Sequence, residues 1–263
     1  MQGSTVFAFI ISLLLQVGYP LAITMLYRRR SRAPWQLFAY GAFIFAVSQL
    51  FTWQPLRTYL DVVLGPASES GMAAFVWSVL LAGGTSLMEE TGRWVGYRFL
   101  FPRGSFVLTW RNGVMYGLGH ATLESALFIA GLTFVYLVAY IALGQLDLQA
   151  VMGMMDPEER ARIWGDLQSI VNTSWQQPLT VALERIIALP HQIAWALLVM
   201  ESLVYRQKRW FVLAVLYHAS IAIIVPGVVR LADIYIAEGV NLLFAILSVW
   251  IILRLRALAE EGG

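Results

Sequence analysis

The chain has 263 residues, of which 59% are hydrophobic and 13% charged, with a formal net charge of +2 and no cysteine; its mean hydropathy is +0.68. A soluble domain carries about 25% charged residues, so this composition calls for a bilayer around most of the chain, and the missing cysteines exclude disulfides and thiolate metal sites. A pI near 9.0 would suit nucleic acid, but the basic residues fall in short clusters between apolar runs, which is the pattern of membrane topology.

A bilayer core about 30 Å thick takes roughly 20 residues of helix. Seven runs reach that length, at about residues 5–27, 35–53, 72–88, 112–143, 178–205, 210–229 and 232–253. The second extends toward residue 64 through Pro55, and a mixed segment, 89–101, follows the third as an interfacial continuation. The first run has no basic region before it and no small-residue cleavage site near its end, so it reads as a retained span. The expected fold is therefore all-α: a polytopic membrane helical bundle of seven transmembrane helices, forming one integral-membrane domain over residues 1–263.

Arg28 to Arg32, Arg93 to Arg111, Arg206 to Arg209 and Arg254 with Arg256 fall on alternate loops and hold 13 of the 18 Lys and Arg residues. The positive-inside rule then puts the N-terminus outside and the C-terminus in the cytoplasm. Between the fourth and fifth runs lies a long outer loop. Its Asp156-Pro157-Glu158-Glu159 reads as a helix start, with Asp at the N-cap and Pro at the first helical position. Ile163, Trp164, Leu167, Ile170 and Val171 recur at helical spacing, so an amphipathic helix is expected over about residues 156–172, as an anchor or as a lid.

Ionisable groups at bilayer depth are costly and default to functional candidates. Here they are Glu89, Glu90 and Arg93 at the end of the third run, His120 and Glu124 in the fourth, Glu184, Arg185 and His191 in the fifth, and His218 in the sixth. All three histidines thus lie inside spans. His120 and Glu124 are four residues apart and share a helix face; Arg93 lies three and four residues from the two glutamates and can neutralise one of them. A rise of 1.5 Å per residue places His120 and His218 at similar depths, about 13 Å from the basic boundary, with His191 about 10 Å further. Glu184 with Arg185 reads as a structural ion pair. Three histidines and several carboxylates on four helices supply a base, an orienting partner and ligands for a metal.

The run Glu89-Glu90-Thr91-Gly92-Arg93, then Tyr116-Gly117-Leu118-Gly119-His120 with Glu124, then Glu184-Arg185 with His191, then Tyr217-His218, resembles the YhfC-type intramembrane metalloproteases over about residues 83–224. That group is distantly similar to the CAAX-protease and bacteriocin-processing membrane proteases. The resemblance implies an intramembrane endopeptidase of a bacterial inner membrane, acting on a membrane-associated protein or peptide. Glu89 or Glu90 would be the base, His120 and His218 its partners, and Arg93 would orient the carboxylates. Two features depart from the wider pattern. Only Thr91 and Gly92 separate Glu90 from Arg93, where three residues are usual. Ala222 stands where Asn or Asp is usual, so an oxyanion donor is unassigned, with Asn112, Gln192 and Ser220 as replacements.

Two mechanisms are open. In one, a glutamate and a histidine activate water without metal. In the other, Zn2+ is held by His120 and His218 with His191 or Glu124, and a glutamate takes the water proton. The alternative function is a small proton- or cation-coupled transporter built on the same buried cluster, and a third reading is a non-enzymatic scaffold. Expected partners are the bilayer and a membrane substrate, with no nucleic acid; oligomeric state is open.

Overall fold

The computed structural model describes residues 2–64, 71–153 and 156–261; residues 1, 65–70, 154–155 and 262–263 of the expected single domain lie outside the described residues. The chain is 90% helical without strands among the described residues. Nine helices are described. Seven are long and apolar enough to cross a membrane: α1 (Gly3–Ser31), α2 (Trp35–Leu64), α3 (Gly71–Arg103), α4 (Trp110–Leu143), α7 (Gln176–Val204), α8 (Lys208–Leu231) and α9 (Ile234–Glu260). Between α4 and α7 lie the short α5 (Leu148–Gly153) and the amphipathic α6 (Pro157–Val171). The seven expected spans and the loop helix are all present. The mixed segment after Met88 continues as helix to Arg103, so Glu89 and Glu90 sit in the interior of a 33-residue helix rather than at its end.

Contacts divide the chain into two compact units, residues 1–19 with 125–186, and residues 20–124 with 187–263. In the first, Phe9, Leu137 and Tyr140 form a core against which Val6, Leu13, Ile141 and Ile170 pack. Ile170 belongs to α6, so the apolar stripe of that helix is used against its own unit's core. Its start follows capping chemistry: the Asp156 carboxylate accepts from the Glu158 N–H at 3.0 Å, and Pro157 needs no partner for a missing N–H. Buried hydroxyls tie helix to helix here, Ser12 donating to the Pro178 carbonyl and Ser125 to the Gln16 carbonyl at 2.7 Å.

The second unit is organised around the first half of α4. Every residue from Asn112 to Thr122 is buried, which an 11-residue stretch achieves only with helices on all sides. Glycine makes that approach feasible. A Cβ on Gly119 would collide with the Phe38 carbonyl of α2, and one on Gly41 with the Tyr116 carbonyl of α4; small residues let membrane helices meet backbone to backbone. From Gly71 to Val95 of α3 the buried residues are Ser86, Glu89, Glu90 and Arg93, spaced i, i+3, i+4 and i+7, so here one face of the helix turns inward and that face is polar. Its apolar residues, such as Phe75, Leu80 and Leu87, are exposed, as befits a helix whose surroundings are hydrocarbon. Widened π-helical turns interrupt α2 at Ala46–Trp53, α3 at Gly96–Leu100 and α4 at Glu124–Ile129; such turns are frequent beside functional sites.

Candidate functional site

The polar face of α3 meets His120 of α4, Gln192 of α7 and His218 of α8. Arg93 Nη2 donates to Glu89 Oε2 at 3.1 Å, and Arg93 Nη1 donates to Glu90 Oε1. Each carboxylate has its own histidine: His120 Nε2 lies 3.3 Å from Glu89 Oε2, and His218 Nδ1 lies 2.8 Å from Glu90 Oε1. Two Glu–His pairs thus share one guanidinium. All five residues are buried. A buried carboxylate or guanidinium alone would be prohibitive, but here each charge is met by an opposite one within hydrogen-bond distance.

A second layer fixes the arginine. Gln192 Oε1 accepts from Arg93 Nη2, and Gln192 Nε2 donates to Glu124 Oε2. Glu124 therefore joins the cluster through an amide. The indole of Trp195 stacks on the His218 ring at 3.7 Å between centroids and 10° between planes, and the Arg93 guanidinium carbon lies 5.7 Å from the same ring. Phe45 closes the other side, edge-on to His120 at 5.1 Å. Three buried atoms of the cluster have no hydrogen-bond partner in the protein: Glu90 Oε2, His120 Nδ1 and Arg93 Nε. Buried polar groups are nearly always paired, so these atoms point to a species the protein itself does not supply.

Of the expected site residues, Glu89, Glu90, Arg93, His120 and His218 come together. His191 does not join them in the expected three-histidine metal set. Its Nδ1 lies 2.8 Å from Ser248 Oγ and its Nε2 3.2 Å from Asn241 Oδ1, so both ring nitrogens engage α9. The reason is rotation: neighbouring residues on a helix point about 100° apart, and α7 turns Gln192 rather than His191 toward α3. Among the described residues, the group whose ligand atoms all lie within 4.8 Å of one another is Glu89, Glu90 and His218. Glu184 and Arg185 pair with each other, as expected of a structural pair. Of the three suggested oxyanion donors, Gln192 is at the site; Asn112 is tied to the Val107 carbonyl at 2.9 Å and Ser220 to the Leu216 carbonyl at 2.6 Å.

Trp195 was not singled out by sequence reasoning. The available signal was its position three residues after Gln192, on the same face of α7. Also missed was the polar set on α9: Glu238, Asn241 and Ser248 are all buried, and Asn241 and Ser248 hold His191.

Seven helices long and apolar enough to span a membrane, with ionisable side chains buried together, define a multi-pass membrane protein with a buried Glu/His/Arg cluster. Comparison with known proteins gives its kinship: the model of the YhfC intramembrane metalloprotease family matches residues 11–246, and the chain belongs to that family. It is 26% identical over 206 residues to the "Uncharacterized membrane protein YhfC" of Bacillus subtilis (strain 168), which covers 76% of each chain. No solved structure matches.

A metal is implied by the family's name, and the donor set fits one. Glu89, Glu90 and His218 offer two carboxylates and an imidazole within reach of one centre, and Glu90 Oε2 has a buried, unpartnered lone pair aligned with none of the protein's donors. Three N/O ligands with a remaining open position are the donor chemistry of catalytic metal sites. Arg93 is the competing cation, because it draws on the same carboxylates.

Proposed function

We propose that this protein is an intramembrane endopeptidase that hydrolyses a peptide bond of a membrane-associated protein or peptide, with water activated by the Glu/His cluster. The observation that carries this reading is the convergence of Glu89, Glu90, Arg93, His120 and His218 from three helices into one buried constellation. Such a set is costly to bury and contains the parts a hydrolytic site needs: an acceptor for the water proton, donors for a developing oxyanion, and groups that orient both.

The two glutamates have different roles in this proposal. Glu90 is fully buried and held by Arg93 and by His218 at 2.8 Å, whereas Glu89 keeps 7% of its side chain accessible and has longer bonds, 3.1 and 3.3 Å. Glu89 is therefore the general base and Glu90 the group that holds Arg93 and His218 in place. Glu89 takes a proton from water as the water oxygen bonds to the scissile carbonyl carbon. His120, beside Glu89, and Arg93 face the developing negative charge. When the tetrahedral species collapses, the C–N bond breaks and the proton on Glu89 passes to the leaving amine. In the alternative, metal-assisted form, where Glu89 and Glu90 serve as ligands instead, Glu89, Glu90 and His218 are the residues that would hold a divalent metal, with Zn2+ the ion expected; when bound, it would supply a Lewis acid that polarises the water or the carbonyl.

The location that fits this reading is a bacterial inner membrane, with the N-terminus outside and the basic ends of the helices in the cytoplasm. The test is cleavage of a panel of single-span membrane peptides by the full chain in lipid nanodiscs, with products identified by mass. Glu89→Gln and His120→Ala are expected to lower turnover by roughly 10²-fold or more while the unfolding temperature stays within a few degrees. Proton or cation flux in vesicles with no cleaved product would overturn the peptidase in favour of a transporter. Metal content of the purified chain, lost in His218→Ala, would assign the metal-assisted form.

A further inference from the structure

Beyond the polar site, between α3, the end of α7 and the start of α8, lies a cleft of about 480 Å3, inside the range of about 300–1,000 Å3 typical of small-molecule sites. Trp94, Leu203, Phe211 and Val212 make its walls apolar, and Arg206 and Lys208 stand on its rim. Both cations are exposed, and neither pairs with a carboxylate among the described residues. The backbone sets Arg206 in place: it ends α7 in the left-handed conformation, φ 56°, with the Gln207 N–H donating to the Ser202 carbonyl at 3.1 Å. That is a Schellman-type closure, usually made by glycine. Next to it Tyr205 stacks on Trp210 at 6.1 Å, and Arg209 lies 5.7 Å from the Trp210 ring. Aromatic and basic residues in this mixture mark the level of lipid headgroups.

An apolar slot closed by two cations without protein counterions is complementary to a molecule with a hydrocarbon chain and an anionic head. Basic pockets between membrane helices at the headgroup level bind anionic lipids for this reason. We infer that the cleft binds one anionic phospholipid, its phosphate between Arg206 and Lys208 and an acyl chain along Trp94, Leu203, Phe211 and Val212. The site is separate from the Glu/His cluster and does not depend on the peptidase reading. Its helix α3 is nevertheless shared, since Trp94 faces the cleft and the preceding Arg93 faces the cluster.

The test uses the full chain, delipidated in detergent and titrated with phosphatidylglycerol or phosphatidylcholine, with bound lipid counted by native mass spectrometry. The expected result is one retained phosphatidylglycerol, preferred over phosphatidylcholine, and binding roughly tenfold weaker in Arg206→Gln/Lys208→Gln. Arg29→Gln/Arg30→Gln removes the same charge at the end of α1 and should bind as the natural chain does. Leu203→Trp, which fills the slot and leaves the cations, should also lose the lipid. Equal binding of the two lipids, equal loss in the Arg29/Arg30 variant, or full binding by Leu203→Trp would each overturn the proposal. So would displacement of the lipid by millimolar inorganic phosphate alone, which would assign a simple anion site. Retention of the fold in each variant is checked by its thermal unfolding in the same detergent.

Discussion

Arg93 is the residue on which the buried charges depend. It is wholly enclosed and donates to Glu89, Glu90 and Gln192, so its removal strands two carboxylates away from water. Arg93→Leu is expected to destabilise the protein by about 3–5 kcal/mol, the usual cost of breaking a buried ion pair from one side. The triple replacement of Glu89, Glu90 and Arg93 by leucine should regain most of that stability and have no turnover, because it removes the desolvation cost together with the chemistry. Equilibrium unfolding in mixed micelles measures both. If Arg93→Leu proved as stable as the natural chain, the cluster would not be the buried ion network its geometry indicates. Trp195 works on the same small scale: it stacks on the His218 ring, and the His191 ring, 5.8 Å from the indole, is held by Ser248 and Asn241.

At the scale of elements, the close contact of α2 with α4 decides where His120 stands. Gly119 precedes His120 and allows the Phe38 carbonyl against the α4 backbone. Gly119→Ala is expected to push the two helices apart and cost about 1–3 kcal/mol, as overpacking of a tight interior does, with turnover lost as His120 moves from Glu89. Gly131→Ala is the control, since a Cβ there meets nothing within 4 Å; it should be neutral or slightly stabilising, because alanine is the better helix former by up to about 1 kcal/mol. Thermal unfolding of the two variants side by side gives the comparison. The polar stripe of α3 makes a related point. Periodicity identifies a helix, and on this helix the inward face is the one a soluble protein would expose.

At the scale of the whole chain, the arrangement of basic residues predicts a topology, N-terminus outside, that labelling can check. Because the natural chain has no cysteine, single cysteines report without background. Gln145→Cys is expected to react with a membrane-impermeant maleimide added to intact cells, and Arg254→Cys only after permeabilisation. The reverse pattern would overturn the predicted orientation. A chain in which both sites react from outside would contradict seven spans.

The number of spans, their order, the capped amphipathic helix at Asp156 and the grouping of Glu89, Glu90, Arg93, His120 and His218 into one buried cluster were all legible in the amino-acid sequence. Apolar length, capping chemistry and the cost of charge in hydrocarbon are local properties, and they leave marks at single positions. The choice of Gln192 over His191, the stacking of Trp195 on His218, the different accessibility of Glu89 and Glu90, and the binding of His191 by α9 were decided only in the tertiary structure. Each depends on how far a helix is rotated about its axis, and a rotation of one residue, about 100°, exchanges a side chain that faces the site for one that faces a neighbouring helix. That angle is set by packing, through contacts such as Gly119 on Phe38, between residues far apart in the chain.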